Sequence, residues 1–210
     1  MGAVATATRK TARKAKGDGY LRRAEILEAA ERIFVAEGYE GATIRKIADE
    51  VGVSSTALYM HFPDKGGILA EICERAFADL LSSNREIAAR PLDAVVRTRM
   101  MLDAYMRWGF AHPNAYQLVY SVRAPGAQPL PESTTQISAE CYGVFSGVVR
   151  EVAAAGRLRI GDGDSAAQAL WLACHGVVAM ITARPAFDWA DHDELMRLTL
   201  DGMLHGLVTD

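Results

Sequence analysis

The stretch Thr43–His61 reads TIRKIADEVGVSSTALYMH. Thr43 can cap a short helix with Ile47, Ala48 and Val51 on one face, because a threonine oxygen accepts from an N–H of the first helical turn. Gly52 ends that helix, since the sharp reversal needs a positive φ that glycine adopts without strain. Ser54 caps a second short helix, predicted to run through His61. Two short helices joined by a tight glycine turn make the helix-turn-helix plan. Ala48 is small where the helices would cross, and Val51, Val53 and Leu58 supply the apolar wedge beneath the turn. The second helix then exposes Ser55, Thr56, Ala57, Tyr59, Met60 and His61. These short or hydrogen-bonding side chains suit a major groove.

Working outward, Ile26, Leu27, Ala30, Ile33 and Phe34 form an upstream stripe at helical spacing, closed by Gly38. Downstream, Pro63 stops the chain and Asp64 caps a helix with a wide stripe from Ile68 to Leu81. Gly66 and Gly67 predict a loose start for it, as glycine is disfavoured in helices by about 1 kcal/mol relative to alanine. Further helices are predicted from Pro91 to about His112 and from Pro113 to Tyr120. Another starts at Glu132 or Ser133 and reaches about Ala155; a fourth, capped by Asp164, ends before Pro185; the last spans about Asp191 to Leu207. Residues 121–131 hold three prolines and a glycine and read as a loop. No segment alternates with period two, so the fold class is all-α, with about nine helices. A basic arm over 1–19, poor in large apolar residues, is read as mobile; a three-helix head follows over 20–65, and a larger helical domain over 66–210.

Charge is unevenly placed along the 210 residues. Residues 1–65 carry 11 basic side chains against 9 acidic ones, and residues 66–210 carry 12 against 17, within a net charge of −3. All five lysines lie in the first part. This suggests an anionic partner for the N-terminal part, the alternative being an ordinary solvated surface. Arg9, Lys10, Arg13, Lys14 and Lys16 would add nonspecific affinity for duplex DNA. No apolar run approaches the ~18 residues of a membrane span, so no membrane partner is expected. The N-terminus has no secretory h-region. Cys73, Cys141 and Cys174 are widely spaced without a CxxC, which favours a reducing cytoplasm over disulfides or zinc.

Residues 24–65, AEILEAAERIFVAEGYEGATIRKIADEVGVSSTALYMHFPDK, resemble the DNA-binding region of tetracycline-repressor (TetR) family regulators. The shared features are a helix ending in EGY, then T-x-R-x-I-A-x-x-x-G-V-S, then LY-x-HF and a lysine that opens the next helix. The resemblance implies DNA-binding helices joined to a helical ligand-binding and dimerisation domain. Thr43, Tyr59, His61 and Lys65 match phosphate-gripping positions; Ser54 and Ser55, with Thr56 and Ala57, head the recognition helix. Arg45 can reach a guanine edge or a phosphate. Each has a plainer alternative: an N-cap for Thr43, core packing for Tyr59, a solvated charge for Arg45 and Lys65. Ser55 and Thr56 stand where many relatives carry Lys, Gly or Pro, which leaves the operator sequence open.

The C-terminal part contains no GxGxxG, P-loop, HExxH or GxSxG, so no cofactor, metal or catalytic centre is expected. It is rich in aromatic residues. Tyr105, Trp108, Tyr120, Tyr142, Phe145, Trp171 and His175 are candidates to line a pocket for a small, mainly apolar effector, or else form ordinary core. Trp171-x-x-x-His175-Gly176 resembles a motif of one branch of TetR-type ligand domains. Ala166, Ala169, Ala173, Gly176 and Val177 make a small-residue face, as do Leu195, Leu198, Gly202, His205 and Gly206 on the last helix. The resemblance turns these faces into an intersubunit bundle formed by the last two long helices. The expectation is therefore a cytoplasmic homodimer that binds duplex DNA at a near-palindromic operator and answers to a small-molecule effector, most readily as a repressor. The rival readings are a constitutive or architectural DNA-binding protein, and an enzyme with a DNA-targeting head.

Overall fold

A computed structural model describes residues 18–120, 129–159 and 161–209. The arm up to residue 17 and most of the proline-rich loop lie outside these residues. Among them the fold is all-α, with α1 (Asp18–Gly41), α2 (Ile44–Val51), α3 (Ser55–Tyr59), α4 (Lys65–Ala88), α5 (Ala94–Ala111), α6 (Pro113–Tyr120), α7 (Glu132–Ala154), α8 (Gly163–Ala183) and α9 (His192–Leu207). One isolated antiparallel bridge, Leu158 to Val208, ties the α7–α8 connection to the C-terminus. Helix α1 already includes Asp18 and Gly19, which the sequence assigned to the arm.

Local chemistry sets most helix ends. Gly38 breaks α1 with φ 74° and ψ 164°, and Gly52 ends α2 in the left-handed region at φ 70°. Thr43, Ser54 and Asp64 accept from the backbone N–H groups of Lys46, Ala57 and Gly67, as N-caps of α2, α3 and α4.

Five expectations need correction. Helix α3 ends at Tyr59, before His61, because Phe62 is drawn into the core and Arg23 Nη1 donates to the His61 carbonyl at 2.6 Å. Helix α4 starts firmly: a Cβ on Gly66 would stand 3.1 Å from Asp64 Oδ1, so glycine leaves room for the cap. Helix α5 begins at Ala94, where Asp93 accepts from the Val95 N–H at 2.9 Å. Asp162, not Asp164, caps α8, and a Cβ on the buried Gly163 would meet Arg150 Cα of α7 at 3.1 Å. Finally, residues 165–183 contain no Asp, Glu, Lys or Arg, so α8 is long and apolar enough to span a membrane by length and composition alone. Here it packs against α5, α7 and α9.

A single hydrophobic core runs from Ile26 in α1 to Val208 beyond α9. Helix α5 sits at its centre, against α4, α6, α7, α8 and α9. Helix α4 belongs to both regions: Ile68, Leu69 and Ile72 are buried in the head's half of the core, and Phe77, Leu80 and Leu81 in the other. The approach of α5 to α8 is close at Gly109, where a Cβ would lie 2.6 Å from Val178 Cγ1.

Candidate nucleic-acid interface and ligand cavity

The helix-turn-helix buries Ile47, Ala48 and Leu58 and leaves a polar outer face. Tyr59 is exposed, and Met60 is 85% exposed. Thr56 is exposed too, while Ser55, Ala57 and His61 are half-buried. Arg45 is 87% exposed and held only loosely, with Nε 3.8 Å from Asp49 Oδ2. Asp49 and Glu50 face outward, Glu50 paired with Arg32 at 3.3 Å. Thr43 and Ser54 use their oxygens as acceptors in the caps, which leaves each hydroxyl proton available.

The two lysines of the head are engaged within the protein. Lys65 Nζ donates to the Tyr39 carbonyl at 2.8 Å and the Ala42 carbonyl at 3.4 Å, and lies 4.3 Å from the centre of the Tyr39 ring. Lys46 Nζ donates to the Gly41 carbonyl at 2.9 Å and pairs with Glu37. Both ammonium groups thus close the C-terminal end of α1, where unpaired carbonyls attract cations.

Arg23 joins the head to α4. Its guanidinium donates to both oxygens of Glu71, to the His61 carbonyl, and covers the Phe62 ring at 4.1 Å. Arg75 also reaches Glu71 at 2.7 Å. Burial pushes the Glu71 carboxyl up, but hydrogen bonds and charge from Arg23 and Arg75 outweigh it and hold the group below the usual carboxylate range.

A cavity of about 330 Å³ opens between α4, α5, α6, α7 and α8. Of the seven residues expected there, Tyr105, Tyr120, Tyr142, Phe145 and Trp171 line it. Trp108 and His175 stand behind the wall. Trp108 is buried beside Phe77 and donates from Nε1 to the Ala76 carbonyl at 2.6 Å, so its polar end is used in the core. His175 Nδ1 lies 2.6 Å from Tyr116 Oη and 3.1 Å from Tyr105 Oη. Burial lowers the His175 pKa and favours the neutral ring; the same effect pushes the Tyr105, Tyr116 and Tyr120 phenols up.

The remaining lining includes Phe77, Leu80 and Asn84 of α4, Met101 and Leu102 of α5, Ser138, Ala139 and Cys141 of α7, and Gln168 of α8. Phe77 and Leu80 had read as core stripe, since periodicity marks a buried face and not what the face meets. Cys141 is buried, its thiol pushed up to about 12, mainly by burial. It stays protonated and gives no thiolate nucleophile at neutral pH. Among the described residues no group of three or more His, Cys, Asp or Glu is arranged to hold a metal ion.

On the far side of α8 and α9, Leu172, Met180 and Leu198 are exposed. Gly176, Gly202 and Gly206 have open space where a Cβ would stand. Ala166 is the member of the small-residue set that turns inward.

A helix-turn-helix head carried on a helical domain with an internal cavity defines a regulator class. Residues 26–72 match the bacterial regulatory proteins of the tetR family, and residues 98–203 match the tetracyclin repressor-like C-terminal domain. The chain belongs to the TetR family, a family of regulators rather than enzymes. It is 38% identical over 96 residues to the transcriptional repressor AcnR of Corynebacterium diphtheriae, covering 46% of this chain and 44% of that one. It is 40% identical over 73 residues to the transcriptional repressor KstR2 of Rhodococcus jostii, covering 35% and 36%. The chain thus spans less than half the length of these relatives. A tetR-family regulatory protein from Rhodococcus RHA1 has the same fold at TM-score 0.74 and 21% identity, over 94% of this chain and 100% of that one. The SmeT–triclosan complex matches at TM-score 0.71 and 21% identity, over 90% and 93%.

Proposed function

We propose that this chain is a cytoplasmic, homodimeric repressor that binds a near-palindromic operator and releases it when a small, mainly apolar molecule fills the cavity. One observation carries the reading. Helix α4 is a continuous rod of 24 residues that supplies Phe77, Leu80 and Asn84 to the cavity wall and is clamped to the recognition region through Glu71 and Arg23. A ligand that displaces the α4 wall therefore moves the part of the head that Arg23 holds. A second contact supports the same coupling. Helix α6 brings Tyr120 to the cavity and also packs on α1. A constitutive DNA-binding protein would need no such cavity.

In this reading Arg45 and Thr56 read bases, helped by Ser55 and Ala57, while Thr43, Ser54, Tyr59 and His61 contact phosphates. Lys65 serves twice, closing α1 and adding positive potential beside the backbone. The exposed apolar patch of α8 and α9, with its open glycines, supports pairing of the two long helices with those of a second copy.

The test is an enrichment of binding sites from random duplex DNA, followed by titration at several salt concentrations. A near-palindromic site and a steep fall of affinity with salt are expected. A flat salt dependence, or no enriched sequence, sinks the reading. For the effector, ligand and operator must weaken each other by the same factor.

A further inference from the structure

Asn84 is 4% exposed, yet it lines the cavity. Its Nδ2 donates to the Cys141 carbonyl at 3.3 Å, which fixes the amide orientation, because the flipped amide would set oxygen against oxygen. Its Oδ1 has no hydrogen-bond partner among the described residues. A buried acceptor without a donor is costly, and at a cavity wall a bound molecule can satisfy it.

The rest of the lining defines that molecule. Among the described residues it carries no Asp, Glu, Lys, Arg or His, so an ion would enter without a countercharge. Phe77, Phe145, Tyr142 and Trp171 offer ring faces and edges. Tyr105 Oη is engaged within the wall, 3.1 Å from His175 Nδ1 and in hydrogen-bond contact with Tyr116 and Tyr120.

We infer that the cavity takes an uncharged, ring-containing molecule bearing a hydroxyl or N–H that donates to Asn84 Oδ1. This rests on the effector reading above and adds to it the chemical class.

Calorimetric titration of the full chain without DNA tests it, using four probes: 1-naphthol, 1-methoxynaphthalene, 1-naphthoate and trimethylphenylammonium. 1-Naphthol is expected to bind at least about tenfold more tightly than its methyl ether, which lacks the donor, with neither ion matching it. In Asn84→Leu the preference for 1-naphthol should fall to about one, with binding of the ether retained. Tyr105→Phe, which leaves the acceptor in place, should keep the preference. Equal binding of 1-naphthol and its ether by the natural chain overturns the inference, as does a preference that survives in Asn84→Leu. Tighter binding of either ion, or no binding of any probe, overturns it as well. The wild-type series decides even if Asn84→Leu fails to fold. Operator affinity is then measured with 1-naphthol bound. Preferential binding that leaves operator affinity unchanged refutes the effector reading while the assignment of the cavity's chemistry stands.

Discussion

Arg45 and Lys65 show how two cations in one motif divide their work. Arg45 extends into solvent with one loose partner. Arg45→Ala should leave the melting temperature almost unchanged and relax base preference at one operator position by ~1–3 kcal/mol, read from affinities across a set of operator variants. Lys65 holds carbonyls of the α1 end. Lys65→Met should lower the melting temperature and weaken all sites alike. A Lys65→Met protein with unchanged stability would show the carbonyl contacts to be idle. The family resemblance places Lys65 among phosphate contacts. Its intramolecular role depends on Tyr39 and Ala42, more than twenty residues upstream, which no local pattern reports. Thr43, Gly52, Ser54 and Asp64 were legible because a cap or a left-handed turn is decided within three or four residues. At the cavity the aromatic set was legible as a set, and Trp108 and His175 went astray for one reason: helical spacing groups residues on a face without separating those that border empty space from those that border protein. Asn84 gave no signal, because an asparagine in an apolar stripe looks the same with one partner or two.

At the scale of elements, the junction of α1, α3 and α4 depends on Glu71. Its carboxyl is held below its ordinary value, so the stabilisation it gives is present above the unfolded pKa and is lost as pH falls through the depressed folded value. Melting curves should therefore weaken on acidification below about pH 4.5, and Glu71→Gln should flatten that limb while loosening the link between effector and operator. His175 behaves in the same direction at higher pH. Its ring is held neutral by burial, so stability is full above the unfolded pKa and declines as pH falls below about 6.5. His175→Gln should remove that decline. The α5–α8 crossing supplies a steric test. Gly109→Ala sets a methyl 2.6 Å from Val178 Cγ1 and 3.2 Å from Tyr116. It should destabilise the chain by about 1–3 kcal/mol through overpacking, measured by denaturant unfolding.

At the scale of the whole molecule, the proposed pairing through the exposed residues of α8 and α9 would make oligomeric state a condition for operator binding. Leu172→Glu should give a monomer by sedimentation and abolish tight binding to a two-half-site operator, with the circular dichroism of the fold preserved. A dimer that persists would move the interface elsewhere. The fold class followed from periodicity and helix caps, because every long helix carries its own stripe and end signals. The domain boundary at 65/66 did not correspond to a gap. Sequence punctuation marks where a helix begins, and Pro63-Asp64 does so, but says nothing of which neighbours the helix then serves.

That shared rod has a consequence for engineering. One route to altered operator choice would be to exchange the DNA-binding head for that of a relative. Here a cut after residue 64 would separate Arg23 from Glu71 and strand Ile68, Leu69 and Ile72 on the wrong side of the join. A viable graft would carry α4 through Ile72 along with the head and splice inside the helix, where the incoming and resident surfaces must agree on a single registry.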